Sequence, residues 1–403
     1  MSAWTRRRAR LCLLVLPVVL SAACAPEPGR SPGPEPVSAG IGEPLPDLTP
    51  EEASRFQAGQ VHFARRFTPE EGLGPRFNED ACNACHTLPA DGGTGETNVT
   101  KATRTLPDGR CDLLVPLGGE NVRMSVTPAL AAAGAGRAPV PEDATHTAVF
   151  TIPFLFGLGI VDEVPLETLE ALGDPEDGDG DGISGRLGRN GRGEPARFGR
   201  KSDHASLADF VEGAFRLEMG LTTPLHPHEG SAGGFPGVGQ GTDPTPEPEV
   251  TQEVLDAVTD FVRFLAPPSP AVPVEEGRAD VEMGRALFES LGCAGCHVPL
   301  LRAGPGPVAA ISGKAVALHS DLLLHDMGPA LEGTCAPGAG TREWRTEPLL
   351  GLRYRRAFLH DGRAGRVIDA VLLHGGEAQA ARDRFAALDR VTQEKLARFL
   401  DTL

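Results

Sequence analysis

The 403-residue chain is poor in aromatic bulk, with one tyrosine, two tryptophans and 17 phenylalanines. A core with so few rings needs another filler, and a large cofactor is one. Basic charge is short as well: 38 Lys and Arg face 55 Asp and Glu, a formal charge of −17. That balance argues against nucleic acid and for basic partners. Long apolar runs are absent beyond Leu11–Ala23, which is too short to span a bilayer well. What the chain has in excess is glycine and proline, 50 and 37 of them. They predict many loops and short helices rather than large sheets. The length suits two domains.

The N-terminus reads as an export signal over residues 1–23. Arg6, Arg7, Arg8 and Arg10 precede the apolar run, which ends at Ser21-Ala22-Ala23-Cys24. Small residues before a cysteine resemble a bacterial lipoprotein signal with Cys24 as the lipidated residue, although Ser21 stands where Leu is usual. Losing four arginines and no acid takes the mature charge to −21. The expected location is the periplasm or cell envelope, with the membrane touched only through the lipid. Residues 24–50, rich in Pro, Gly, Ser and Glu without an apolar period, read as a flexible tether.

C-x-x-C-H occurs twice, at Cys82-Cys85-His86 and Cys293-Cys296-His297. Two thiols at this spacing reach the two vinyl groups of a haem, and the histidine binds its iron from the same side. Zinc would need four converging ligands, but each C-x-x-C heads its own helical repeat. A thiol–disulfide pair would follow a strand of a βαβ unit, which neither motif has. The expectation is therefore two covalently bound c-type haems, with His86 and His297 as proximal ligands. Cys111 and Cys335 are left over; in an oxidising compartment they either pair or stay as buried thiols.

Both halves follow one plan. A helix over 51–67 precedes the first motif and one over 251–265 closes that half. A helix over 279–291, with Met283, Ala286, Leu287 and Leu291 inward, precedes the second, and 391–403 closes the chain. Ala266-Pro267-Pro268-Ser269-Pro270 reads as a linker. The resulting expectation is a mostly α fold of two cytochrome c-like domains, 51–266 and 278–403, joined by 267–277. Cys82 lies 169 residues before Thr251 but Cys293 only 99 before Thr392, so the first domain is enlarged by insertions.

Asp177, Asp179, Asp181 and Gly182 have the opening spacing of a calcium loop. Gly188 stands where an EF-hand has Glu, so Asp174 or Glu194 would have to complete the shell. A solvated acidic turn is the alternative.

GLRYRRAFLHDGRAGRVIDAVLLHGGEA, from Gly351, resembles the C-terminal haem domain of bacterial di-haem cytochrome c peroxidases and MauG-type enzymes. More closely, GLGPRFNEDACNACH, FLFGLGIVDEVP, DGDGDGISGR, SDLLLHDMGPALEG, EWRTEPLLGL and LLHGGEA look like the di-haem oxidoreductase family, once labelled thiol oxidoreductases. The resemblance spans roughly 50–403. It implies that the distal ligand of the second haem lies fourteen residues after His360, at His374, with Met327 as the other candidate. It implies that Glu218, in FGRKSDHASLADFVEGAFRLEMG, is the acid/base residue for O–O cleavage at the first haem; Glu163 is a second candidate. The tryptophan that relays electrons in the peroxidases aligns with Arg200, so Trp344 or direct transfer must serve. His146 and His204 are possible distal residues of the first haem. The function so implied is a peroxidase-type oxidoreductase. It would take electrons from a small cytochrome or cupredoxin at the C-terminal haem and react with peroxide or another oxidant at the N-terminal one. The alternative is a non-enzymatic two-haem electron carrier; thiol exchange is disfavoured because haem attachment consumes the thiols.

Overall fold

In the computed structural model, residues 35–228, 242–243 and 245–403 are described. The signal, Cys24 and the start of the tether lie outside them. The first described helix, α1 (Pro50–Ala64), starts where Thr49 and Glu52 cap each other and Pro50 presets the first turn. It leads to α2 (Cys82–Cys85), the first motif. After the long middle come α3 (Leu207–Glu218) and α4 (Gln252–Phe264). The second half runs from α5 (Glu275–Ser290) through α6 (Val367–Leu373) to α7 (Arg390–Leu400).

The sequence repeat is a packing repeat. Gly59 of α1 meets α4 so closely that a Cβ there would stand 2.1 Å from the Ala257 carbonyl oxygen. Gly284 of α5 meets α7 in the same way, 2.1 Å from that of Lys395. One turn on, Phe63 packs on Phe261 with centroids 4.7 Å apart, and Phe288 on Phe399 at 5.5 Å. The same two rings lie 6.3 Å from His86 and 6.4 Å from His297. The inward line of α5 therefore carries Gly284 and Phe288, while Met283, expected inside, is 49% exposed. Gly284 allows the backbone contact that sets the helix's rotation. Alanine at Gly284 is expected to destabilise the protein by about 1–3 kcal/mol, because backbone must move and the intrinsic helix gain is smaller than that. Urea unfolding checks this; an unchanged midpoint would show that α5 and α7 part freely.

Two expectations are not met in full. Among the described residues helix takes only 34% and strand 13%, which does not bear out a mostly α fold. Short antiparallel sheets add a second kind of wall. β1 (Val99–Thr105) pairs with β2 (Cys111–Asp112) on one side and β3 (His146–Phe150) on the other. β4 (Leu324–Asp326) pairs with β5 (Glu343–Arg345). Nor are residues 36–49 a free tether. Val37 N–H donates to Ala315 O at 2.9 Å, Ala39 N–H to Pro267 O at 3.0 Å and Leu45 N–H to Phe264 O at 2.7 Å. Ala315 and the segment 264–269 satisfy backbone groups that composition alone would leave to water. That contact also pins the start of the expected linker.

The core does not divide at 267–277. Leu301, Ile311, Leu318, Leu322 and Leu350 belong to the cluster of Phe63, Phe215 and Phe261. A separate cluster holds Phe288, Leu352, Ile368, Phe385, Leu396 and Phe399. From Pro36 onward the chain is one compact unit.

Candidate functional site: two cavities with the C-x-x-C-H motifs

Each motif opens onto its own cavity, of about 410 Å³ for the first and 440 Å³ for the second. Both fall in the range of cofactor sites. His86 ends α2, and its Nδ1 lies 2.9 Å from Gly93 O. His297 repeats this with His319 O at 2.9 Å, and His374, at the end of α6, with Ala370 O at 2.8 Å. An Nδ1–H given to a carbonyl leaves Nε2 free as a ligand. Burial pulls the pKa of His86 and of His297 down to about 4, against these carbonyl bonds, and lowers that of His374. All three are neutral imidazoles.

The four motif cysteines are unpaired. Burial pushes the thiols of Cys82 and Cys85 up to about 12 and that of Cys293 to about 11. Thiols held protonated are poor nucleophiles, which speaks against thiol exchange. Unpaired cysteines, a neutral histidine and a largely apolar wall fit a haem in each cavity.

The structure brings His297 and His374 to the same cavity. Met327 and His360 also line it. His325 does too, but both its nitrogens are taken: Nε2 is 2.9 Å from Asp321 Oδ2 and Nδ1 2.7 Å from Glu377 Oε2. Burial opposes its charge, yet its hydrogen bonds to Asp321, Cys296 and Glu377 push its pKa up to about 12. His325 is a fixed cation rather than a ligand. His360 stacks on Trp344 at 3.9 Å and 14°. Trp344 lines the second cavity and lies 5.6 Å from Phe150, which lines the first. Arg200 lines both.

Alternate residues of β1, Val99, Lys101 and Thr103, form one wall of the first cavity. Glu218, the last residue of α3, lines the same cavity. Asn121 Nδ2 donates to its Oε1 at 2.7 Å and Asn78 Nδ2 to its Oε2 at 2.6 Å. Asn78 also donates to Asn121 Oδ1 at 2.9 Å and accepts from Met124 N–H at 3.1 Å. Both asparagines are buried. Sequence reasoning passed over them, although Asn78 sits inside the quoted GLGPRFNEDACNACH block. Glu163, the second candidate, lines neither cavity; it ends a short helix and faces Arg263 at 3.5 Å. His204 lines the first cavity and His146 does not. Burial lowers the His204 pKa, but Asp209, at 3.4 Å, and Asp203 together outweigh it and the net shift is upward. Its Nδ1 is thus already engaged by the Asp209 carboxylate.

The acidic loop is rearranged from its expected form. Carboxylate oxygens of Asp174, Asp177 and Asp179 lie within 4.8 Å of one another. Asp181 instead caps Ile183 N–H at 2.8 Å and lines the second cavity. Glu194 is held by Asn190 and Arg192 at 2.7 and 2.8 Å. Cys111 and Cys335 form a disulfide, 224 residues apart in sequence.

Two cavities, each closed by a C-x-x-C-H histidine, define a two-cofactor protein. Residues 138–403 match the family described as "Di-haem oxidoreductase, putative peroxidase", and the chain belongs to it. No curated protein matches the chain. Among solved structures it is similar to a hydrazine synthase of Kuenenia stuttgartiensis, with 13% identity, a TM-score of 0.44, and 97% of this chain and 100% of that one covered. It is similar to a MauG-like protein associated with microbial copper homeostasis, with 14% identity, a TM-score of 0.42, and coverage of 92% and 94%. It is also similar to the diheme peroxidase BthA of Burkholderia thailandensis E264, with 15% identity, a TM-score of 0.34, and coverage of 91% of each chain.

Proposed function

We propose that the chain is an exported c-type di-haem oxidoreductase that reduces a peroxide at the first cavity and receives electrons at the second. The observation that carries this reading is the asymmetry of the cavities. His297 and His374 share the second, each with its Nδ1 on a carbonyl, so both would hold the haem iron there through Nε2. The first pairs His86 with a carboxylate held by two amides. A haem held by His86 would supply the redox chemistry and the place where oxidant binds. Glu218 takes the proton from one peroxide oxygen and returns it to the other. Asn78 and Asn121 fix the carboxylate while its remaining lone pairs stay available. His204 is engaged by Asp209 and takes no part in holding the cofactor.

Electron paramagnetic resonance of the purified protein is expected to show one high-spin and one low-spin haem, with peroxide altering the high-spin signal. Pyridine haemochrome is expected to count two haems per chain. Two low-spin haems indifferent to peroxide, also after partial reduction, would make it a carrier; a colourless zinc protein would sink the haem reading.

Three further features belong to this proposal. The mature chain is anchored through lipid at Cys24 and works outside the cytoplasm; the Cys111–Cys335 bond supports the second of these, an oxidising compartment. Its donor is a small basic cytochrome or cupredoxin, matched to the acidic surface. Calcium binds at Asp174, Asp177 and Asp179. A chelator is expected to lower the melting temperature, and added calcium to restore it; an indifferent melting temperature would leave a solvated turn.

A further inference from the structure

Four charged residues line both cavities at once: Arg200, Arg345, Arg355 and Glu347. The arginine side chains are 9%, 8% and 8% exposed. All three converge on one carboxylate. Arg355 Nη2 lies 2.8 Å from Glu347 Oε1, while Arg200 Nη1 and Arg345 Nη2 lie 3.3 and 3.5 Å from Oε2. Burial works against the Glu347 charge, yet the three guanidiniums hold its pKa down to about 2. One anion against three cations leaves two positive charges buried without a partner, and uncompensated buried charge is costly. Backbone and ring contacts orient the arginines without neutralising them. Arg200 donates to Thr151 O at 2.9 Å, Arg345 to Gly199 O at 2.7 Å, and Arg355 lies 4.5 Å over the Phe154 ring. Asp203 and Asp321 act on Arg345 only through space, and Asp321 is already taken by His325. The Arg355 Nε is buried with no hydrogen-bond partner.

Such a cluster lacks anions, and the family's cofactor carries two carboxylates on one edge. We propose that Arg200, Arg345, Arg355 and Glu347 form a shared carboxylate site that takes a propionate from the haem in each cavity. This rests on the di-haem reading above. It gives Arg200 a role where the related peroxidases carry the relay tryptophan: a charged joint between the two cofactors in place of an aromatic one. The protein side of the site carries excess positive charge, which offsets the propionates beside both haems and favours the reduced form of each, so it sets their potentials together.

The test uses the full-length holoprotein, with both haem potentials read by spectroelectrochemical titration and haem counted by haemochrome. Arg200→Gln and Arg355→Gln are each expected to move both reduction equilibria toward the oxidised form by about tenfold, ~59 mV for one electron. Glu347→Gln is expected to move both in the opposite direction. Opposite signs separate a charge effect from a loosened fold, which would move all variants the same way. A shift at one haem only, shifts of one sign in all variants, or two haems with unmoved potentials would overturn the shared site. A wild-type chain without haem would overturn the di-haem reading itself, and the site with it.

Discussion

Replacing Glu218 with glutamine is expected to lower peroxide turnover by about 10²–10⁴-fold, the usual share of one positioned proton-transfer group. That is about 3–5 kcal/mol of barrier at 1.36 kcal/mol per factor of ten. The amide keeps the side chain's shape but cannot carry a proton between two oxygens. One of its ends would also present an NH2 to an asparagine that donates. Haem content and spin state are expected to stay as in the wild type, which separates chemistry from assembly. Glu163→Gln serves as the contrast: its carboxylate faces Arg263 outside both cavities, so turnover should hold. A loss below threefold for Glu218→Gln, with haem intact, would remove this residue from the mechanism.

The second large effect concerns the bond between Cys111 and Cys335. It ties β2 to a loop whose Cys335, Ala336 and Pro337 line the first cavity. Cys335 N–H also donates to Thr103 Oγ1 on β1 at 3.1 Å. Joining residues 224 apart removes much freedom from the unfolded chain. Replacing both cysteines by serine is expected to cost about 2–5 kcal/mol, the observed range for native disulfides, toward its upper end for so long a loop. Denaturant midpoints with and without reductant measure it. A midpoint that ignores reductant would show that the bond does not form in the mature protein.

What was legible along the chain was whatever repeats at short range. C-x-x-C-H places two thiols and an imidazole within five residues, so its chemistry needs no tertiary help. The helical stripes of α4 and α7 carry their own period, and Val258, Phe261, Val262, Leu396, Phe399 and Leu400 are buried as that period predicts. The abundance of glycine and proline announced the loops but not the β1–β3 wall that they connect. On α5 the same periodic reasoning turned Met283 inward, because a stripe of apolar residues cannot reveal that Gly284 lets another backbone approach.

The sequence alone therefore determined the two motifs, the four framing helices and the doubled plan. Tertiary structure decided which residues meet. Asn78 and Asn121 reach Glu218 across 140 and 97 residues, and segment 37–45 docks on 264–269. Asp174 replaces Asp181 in the acidic cluster, and three arginines gather on Glu347 between the cavities. Such contacts leave no period, because they arise where distant segments pack and each buried polar group must find whatever partner the packing brings.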